Sequence, residues 1–278
     1  MREPREMVEE VEQRAGLPQG TEERFSGYGV IGLTFASQHI LCLRRWPISS
    51  LGQEYTSVWH RNPSGQWTFI QDAQPHRACT RYFGNSVERV LLEEINIVWS
   101  GPRHFSVTCN GEYDLHWQIS LTHTIGTRFM NAGGSVIPSS QWRNPKFLKF
   151  LGTAGSLAMK TGRLSLTGQV PNGQTFISNP RYVWAVGSSE ATVCGEDLGD
   201  VGPLPVQARL GDIWIPQEGR FFIGNAFLEV FDPMRHLSTV SREKIDKFEF
   251  FHQKAPGCSS PEANGIPSGM RAISHVKL

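Results

Sequence analysis

Between residues 112 and 124 polar and apolar side chains alternate without a break: Glu112, Asp114, His116, Gln118, Ser120, Thr122 and Thr124 fall on one side, Tyr113, Leu115, Trp117, Ile119, Leu121 and His123 on the other. A period of two is that of a strand with one wet and one dry face. The run is about twice the usual strand length, which predicts a barrel or a strongly curved sheet. Upstream, residues 104–109 form a further strand ending at Asn110-Gly111. A three-residue loop with glycine in the left-handed conformation would pair Cys109 with Tyr113, Val107 with Leu115 and Phe105 with Trp117, giving one continuous apolar face.

The same reading predicts a hairpin over residues 28–35 and 38–46, and another over 54–61 and 66–72 around the turn Asn62-Pro63-Ser64-Gly65. Pairing Arg61 with Gln66 sets His60 opposite Trp67 and Val58 opposite Phe69 on the drier face, with Tyr55, Ser57, Trp59, Thr68, Ile70 and Asp72 on the other. Residues 91–99 read as one strand. Residues 3–14 predict a short surface helix. Asn144-Pro145 opens a second helix, whose apolar stripe runs from Phe147 to Ala158 and ends near Gly162. It is expected to plug or cover one end of the β structure; a mobile lid or a membrane-touching helix is the alternative. Strands over 163–170, 174–178, 182–186, 191–194, 212–216 and 220–231 follow.

Pro63-Ser64-Gly65-Gln66-Trp67-Thr68-Phe69-Ile70 recurs, one residue shorter, as Pro171-Asn172-Gly173-Gln174-Thr175-Phe176-Ile177. Duplication and convergent turn chemistry explain this echo about equally well. Duplication predicts this organisation: 1–24, helix and arm; 25–143, first β lobe; 144–162, connecting helix; 163–252, second β lobe; 253–278, a loose Pro-, Gly- and Ser-rich tail.

Composition narrows the partners. Lys plus Arg number 27 against 26 Asp plus Glu, so no net field draws in nucleic acid or an anionic membrane, and neither partner is expected. The charged N-terminus lacks the apolar stretch of a secretory signal, which predicts a cytoplasmic protein. Five widely spaced cysteines without a C-x-x-C pair predict reduced thiols and no zinc site. No nucleotide-loop, Rossmann, serine-elbow or zincin motif occurs.

The two P-x-G-Q hairpins and the Trp-rich strands across residues 25–252 give an architecture that resembles the two-lobed lipocalin-like proteins, a group that includes carotenoid hydratases and natural-product cyclases. The resemblance implies an apolar, often terpenoid, substrate held in a barrel or between lobes, and acid–base chemistry with one carboxylate or none. No catalytic residue of that group has a counterpart here.

The candidate residues come from the chain itself. His60 and His123 are each the single ionisable group on an otherwise apolar strand face, where an imidazole can move a proton near pH 7 or can simply be a satisfied core group. Asp72 is a general acid if burial raises its pKa, or a turn cap. Trp67, Tyr113 and Trp117, with Tyr82 at a loop mouth, either shape a hydrophobic pocket or fill a core. His104, His116 and Asp114, and the group Glu196, Asp197 and Asp200, have metal-ligand composition but read better as a solvated face and an acidic turn.

The expectation is therefore a mainly β protein of two lipocalin-like antiparallel lobes or barrels with a short helix between them. It would be a cofactor-free, metal-free hydratase, isomerase or cyclase acting on a terpenoid or polyketide-like molecule, catalysed by His60, His123 and Asp72 and lined by Trp67, Tyr82, Tyr113 and Trp117. The alternative is a non-catalytic carrier of a lipophilic metabolite. A homodimer is compatible with either.

Overall fold

A computed structural model describes residues 2–14, 16–138 and 140–238. The chain is mainly β. Its principal strands are β1 (Glu23–Thr34), β2 (Ile40–Ser49), β3 (Tyr55–Arg61), β4 (Trp67–Gln71), β5 (Arg89–Leu92), β6 (Ile95–Trp99), β7 (His104–Cys109) and β8 (Leu115–Thr122). Then come β9 (Thr167–Gln169), β10 (Thr175–Val193), β11 (Glu196–Asp197), β12 (Arg209–Leu210), β13 (Ile213–Trp214) and β14 (Arg220–Leu228).

All but β12 and β13 join one curled sheet, whose path is β5-β4-β3-β2-β1-β14-β10-β8-β7-β6, with β9 and β11 pairing off it onto β10. Strand β14, last among the described strands, lies between β1 and β10 and stitches the early strands to the later ones. The expected pair of lobes is therefore not seen: strands from 25–143 and from 163–252 share a single sheet. The expected tail, 253–278, lies outside the described residues.

Two cores flank this sheet. One holds Val30, Leu41, Leu43, Val58, Ile70, Val107, Leu115, Trp117 and Phe221; the other holds Phe25, Ile40, Cys42, Trp46, Trp59, Trp67, Phe69 and Phe222. Strand β3 is consequently buried at Tyr55, Thr56, Ser57, Val58, Trp59 and His60 in succession, whereas β8 alternates buried with exposed or half-buried. Alternation reports a face only where the other face is wet.

This is why the first hairpin departs from its expected register. Arg61 pairs with Trp67, His60 with Thr68, Trp59 with Phe69 and Val58 with Ile70. His60 and Trp67 thus lie on opposite faces, because a one-residue slip reverses every side chain. The second hairpin slips by two, pairing Cys109 with Leu115, Val107 with Trp117 and Phe105 with Ile119. An even slip keeps the apolar face intact. The segment expected as one strand over 91–99 is two, β5 and β6, interrupted at Glu93-Glu94.

Helix α1 (Pro4–Arg14) packs Met7 and Val8 onto the first core. The short helix α2 (Thr80–Phe83) covers the second core with Tyr82 and Phe83. Helix α3 (Ile125–Val136) was not foreseen; Thr124 and Thr127 form a reciprocal capping box at its start. Asn131 donates to the Val183 carbonyl at 2.9 Å and accepts from its N–H at 2.7 Å, satisfying β10 where no strand pairs it on that side. Helix α4 (Pro145–Met159) begins as expected, with the Asn144 carboxamide oxygen accepting from the N–H groups of Lys146 and Phe147.

Candidate functional site

A cavity of about 100 Å³ opens on the second-core side of the sheet. Its floor is Phe25, Arg44, Trp46, Tyr55, Trp59, Phe222 and neighbours on β10; its cover is Cys79, Tyr82 and Phe83 from around α2, with Leu164, Leu166 and Trp214. The aromatic lining is expected of a small-molecule pocket, but the volume is below the usual range for drug-sized ligands. It is nearer the size that admits one benzene ring. An enclosed terpenoid does not fit.

Arg44 is the chemical centre of this cavity. In β2, Ile40, Cys42, Arg44 and Trp46 share the face toward the second core. Arg44 stands between two small cross-strand neighbours, Gly29 and Ser57, so its guanidinium has room to lie over the sheet. The register of β1 against β2 shifts between Val30 and Leu33, and Arg44 donates to the carbonyls of Val30, Ile31 and Leu43. Its guanidinium carbon sits 4.6 Å from the Trp59 ring centroid and 5.6 Å from that of Phe222. Three hydrogen bonds leave Nε–H and one Nη2–H unused among the five donors. No carboxylate of the described residues pairs with it.

Burial pulls the Arg44 pKa down from its ordinary value, yet arginine starts so high that the group stays cationic at neutral pH. The pocket's other polar groups are neutral. Burial raises the pKa of Tyr55, Tyr82 and Cys79. Cys79 is accordingly a thiol, 3.6 Å from the Tyr55 hydroxyl, and not a thiolate nucleophile. Tyr82 donates to the Glu23 carboxylate, which Arg81 also holds at 2.6 Å. Cys42, Cys79 and Cys109 are free and buried, while Cys194 is disulfide-bonded, against the expectation of reduced thiols throughout.

Of the residues singled out from the sequence, Tyr82 lines the cavity; His60, His123, Asp72, Trp67, Tyr113 and Trp117 are not among its walls. His60 and Tyr113 meet elsewhere, in the first core. The Tyr113 hydroxyl donates to His60 Nδ1, and His60 Nε2 bonds His39 Nδ1 at 2.7 Å. Two tautomer sets satisfy both bonds, and the Glu196 carboxylate, 3.7 Å from His39 Nε2, favours the one in which Tyr113 donates and His39 carries its proton on Nε2. Burial, then the neighbouring His39, lowers the His60 pKa to about 3. The ring is therefore neutral at physiological pH and does not titrate near 7.

His123 lies just beyond β8, half-buried, with Nδ1 enclosed and unbonded; burial lowers its pKa. Asp72 is exposed and accepts from the Thr56 N–H at 2.7 Å, while desolvation raises its carboxyl above the ordinary value. Trp117 is fully buried and donates to Ser189 at 2.9 Å. Trp67 belongs to the second core. Among the described residues no group of three or more His, Cys, Asp or Glu side chains is placed to hold a metal ion. The pair Asp114–His116 is exposed at 3.2 Å.

Arg44 was missed although the strand expected over 38–46 contains it. The available signal was its spacing from Ile40, Cys42 and Trp46, which puts a cation on an apolar face.

No family model matches the chain, and no curated protein matches it. The solved structure of acetoacetate decarboxylase from Legionella pneumophila subsp. pneumophila str. Philadelphia 1 is similar across 80% of this chain and 95% of that chain, at 10% identity and a TM-score of 0.35. A likeness that distant carries no argument about the site.

Proposed function

We propose that the cavity binds a small organic molecule with an apolar body and one anionic oxygen group, such as a short-chain or aromatic carboxylate, and that the protein acts as its carrier. The supporting observation is Arg44: a buried guanidinium with unused donors, stacked on Trp59, at the wall of an aromatic pocket. A buried cation without an ionic partner is costly. A ligand carboxylate offers the missing charge and accepts the two free N–H groups in the fork geometry that arginine favours. The lack of a lining group that titrates near neutrality favours holding a ligand over acid–base turnover.

A second reading keeps the cofactor-free enzyme, of isomerase or lyase type. It is favoured by the Glu23 carboxylate directly behind Tyr82, which gives a wall phenol an acceptor for its proton. Arg44 would then stabilise a developing oxyanion in a low-dielectric site. Under this reading Tyr82 and Glu23, rather than His60, His123 and Asp72, move the proton. A hydratase or cyclase acting on a whole terpenoid or polyketide, in a lipocalin-like barrel, has no support in a cavity of about 100 Å³.

The test is a thermal-shift and calorimetric screen of matched pairs: short-chain and aromatic carboxylates against their alcohols and amides. Carboxylates should bind the wild-type protein, and Arg44→Met should abolish the preference. Equal binding of acid and alcohol overturns the anion assignment. Chemical conversion of a bound acid, lost in Tyr82→Phe, would decide for the enzyme.

A further inference from the structure

We propose that helices α3 and α4 together form a docking surface for an anionic lipid bilayer. Ile125, Phe129, Phe150 and Leu157 are 77%, 73%, 68% and 77% exposed, although each is large and apolar. The fold does not need them: α4 turns Leu148, Gly152, Gly155 and Met159 inward, and α3 turns Thr127 and Asn131. Ile125 and Phe129 are four residues apart, Phe150 and Leu157 seven, so each pair shares an outer face. The helices lie against one another in antiparallel fashion. A Cβ on Gly126 would stand 2.5 Å from the Ala158 carbonyl, and one on Gly155 3.6 Å from the Met130 side chain. The four apolar side chains thus belong to one surface.

The charge on that surface is one-sided. From Asp114 to Glu190 the sequence contains no intervening Asp or Glu, while it carries Arg128, Arg143, Lys146, Lys149, Lys160, Arg163 and Arg181. Arg128, Lys146, Lys149 and Lys160 are exposed beside the apolar residues and make no ion pair among the described residues. The near-zero net charge of the whole chain, which argues against a membrane partner, conceals this separation. An exposed apolar stripe interleaved with lysines is the make-up of an interfacial helix, whose apolar side chains enter the acyl boundary while its cations meet anionic headgroups.

Two other occupants suit the surface less well. A second copy related by a twofold axis would set lysines against lysines, at a cost in like-charge repulsion. The four apolar residues stand out on convex helices and frame no groove for a protein segment. The surface also adjoins the cavity: a Cβ on Gly152 of α4 would lie 2.8 Å from the carbonyl of Leu164, and Leu164 and Leu166 line the cavity wall. Docking would bring that wall close to the bilayer.

The test is flotation of the full-length protein with phosphatidylcholine vesicles, with and without about 30% phosphatidylglycerol. The expected result is binding to the anionic vesicles only, weakened by salt. Lys146→Gln/Lys149→Gln should lower the partition coefficient about 25-fold, at about 5-fold per charge, and Phe129→Ser/Phe150→Ser should lower it at least tenfold, both with unchanged thermal melting. Absence of binding to anionic vesicles at low salt overturns the proposal, as does binding that neither double variant alters. So does a dimer in sedimentation that Phe129→Ser/Phe150→Ser dissociates while vesicles are ignored, which would make the surface a protein interface.

Discussion

The Arg44 guanidinium carbon lies 4.6 Å from the centroid of the Trp59 ring, with both residues in the cavity wall. Stacking on an aromatic face offsets part of the desolvation of the cation and fixes the plane from which its free N–H groups project. Affinity for a carboxylate ligand should therefore fall by about 10-fold to 100-fold in Arg44→Met, the range of a charge-assisted hydrogen-bonded contact. Arg44→Lys keeps the charge but loses the fork and the stack, and should recover little of that affinity. Calorimetric titration with the best carboxylate from the screen measures both.

Trp117 and Tyr82 separate core from pocket. Trp117 is fully buried in the first core, outside the cavity. Trp117→Ala should cost about 3 to 5 kcal/mol of stability, while the milder Trp117→Phe should leave ligand affinity unchanged. Tyr82→Phe removes only a hydroxyl that faces Glu23. It should alter binding or turnover more than the denaturation midpoint. Urea melts of the three variants, and titrations of the two folded ones, check the contrast.

What the sequence made legible follows from where water reaches. In β8, polar Gln118, Ser120 and Thr122 face outward and the strand was readable to within its ends. In β3, His60 sits between two cores, and no alternation marked its face. The single sheet was illegible for a different reason: β14 pairs with β1 across about 200 residues of sequence, a contact that local patterning does not carry. Helix α3 hid behind Gly126, Gly133 and Gly134, which lower helix propensity. Of the site, the aromatic character was legible in Tyr82, but the cation at its centre was not.

The buried imidazole of His60 makes stability depend on pH. Its folded pKa of about 3 lies below the ordinary histidine value, so the unfolded chain binds more protons than the folded one between these values. The contribution is complete above about pH 6.5 and is lost as pH falls toward 3, by roughly 3 kcal/mol between pH 7 and pH 4. Carboxylates add their own slope below pH 5, so the comparison is with His60→Gln, whose stability should start lower and fall less steeply across pH 6.5 to 5. Urea midpoints at four pH values measure it; parallel slopes for the two proteins would contradict the buried neutral ring.

Thiol accessibility gives a last check on the cavity. Cys42 and Cys79 flank Arg44 on the same side of the sheet, and burial pushes the Cys42 thiol up to about 12 and raises that of Cys79. Thiolate is the reactive form, so both should resist iodoacetamide at pH 7.5 in the folded protein and react fully in urea. Cys79 differs in that it lines the cavity, whereas Cys42 does not. A small uncharged maleimide at high pH should therefore label Cys79 before Cys42, and a bound carboxylate should slow the Cys79 reaction alone. Peptide-resolved mass spectrometry with and without ligand reads the two sites separately. Equal protection of both cysteines would place the ligand somewhere other than beside Arg44.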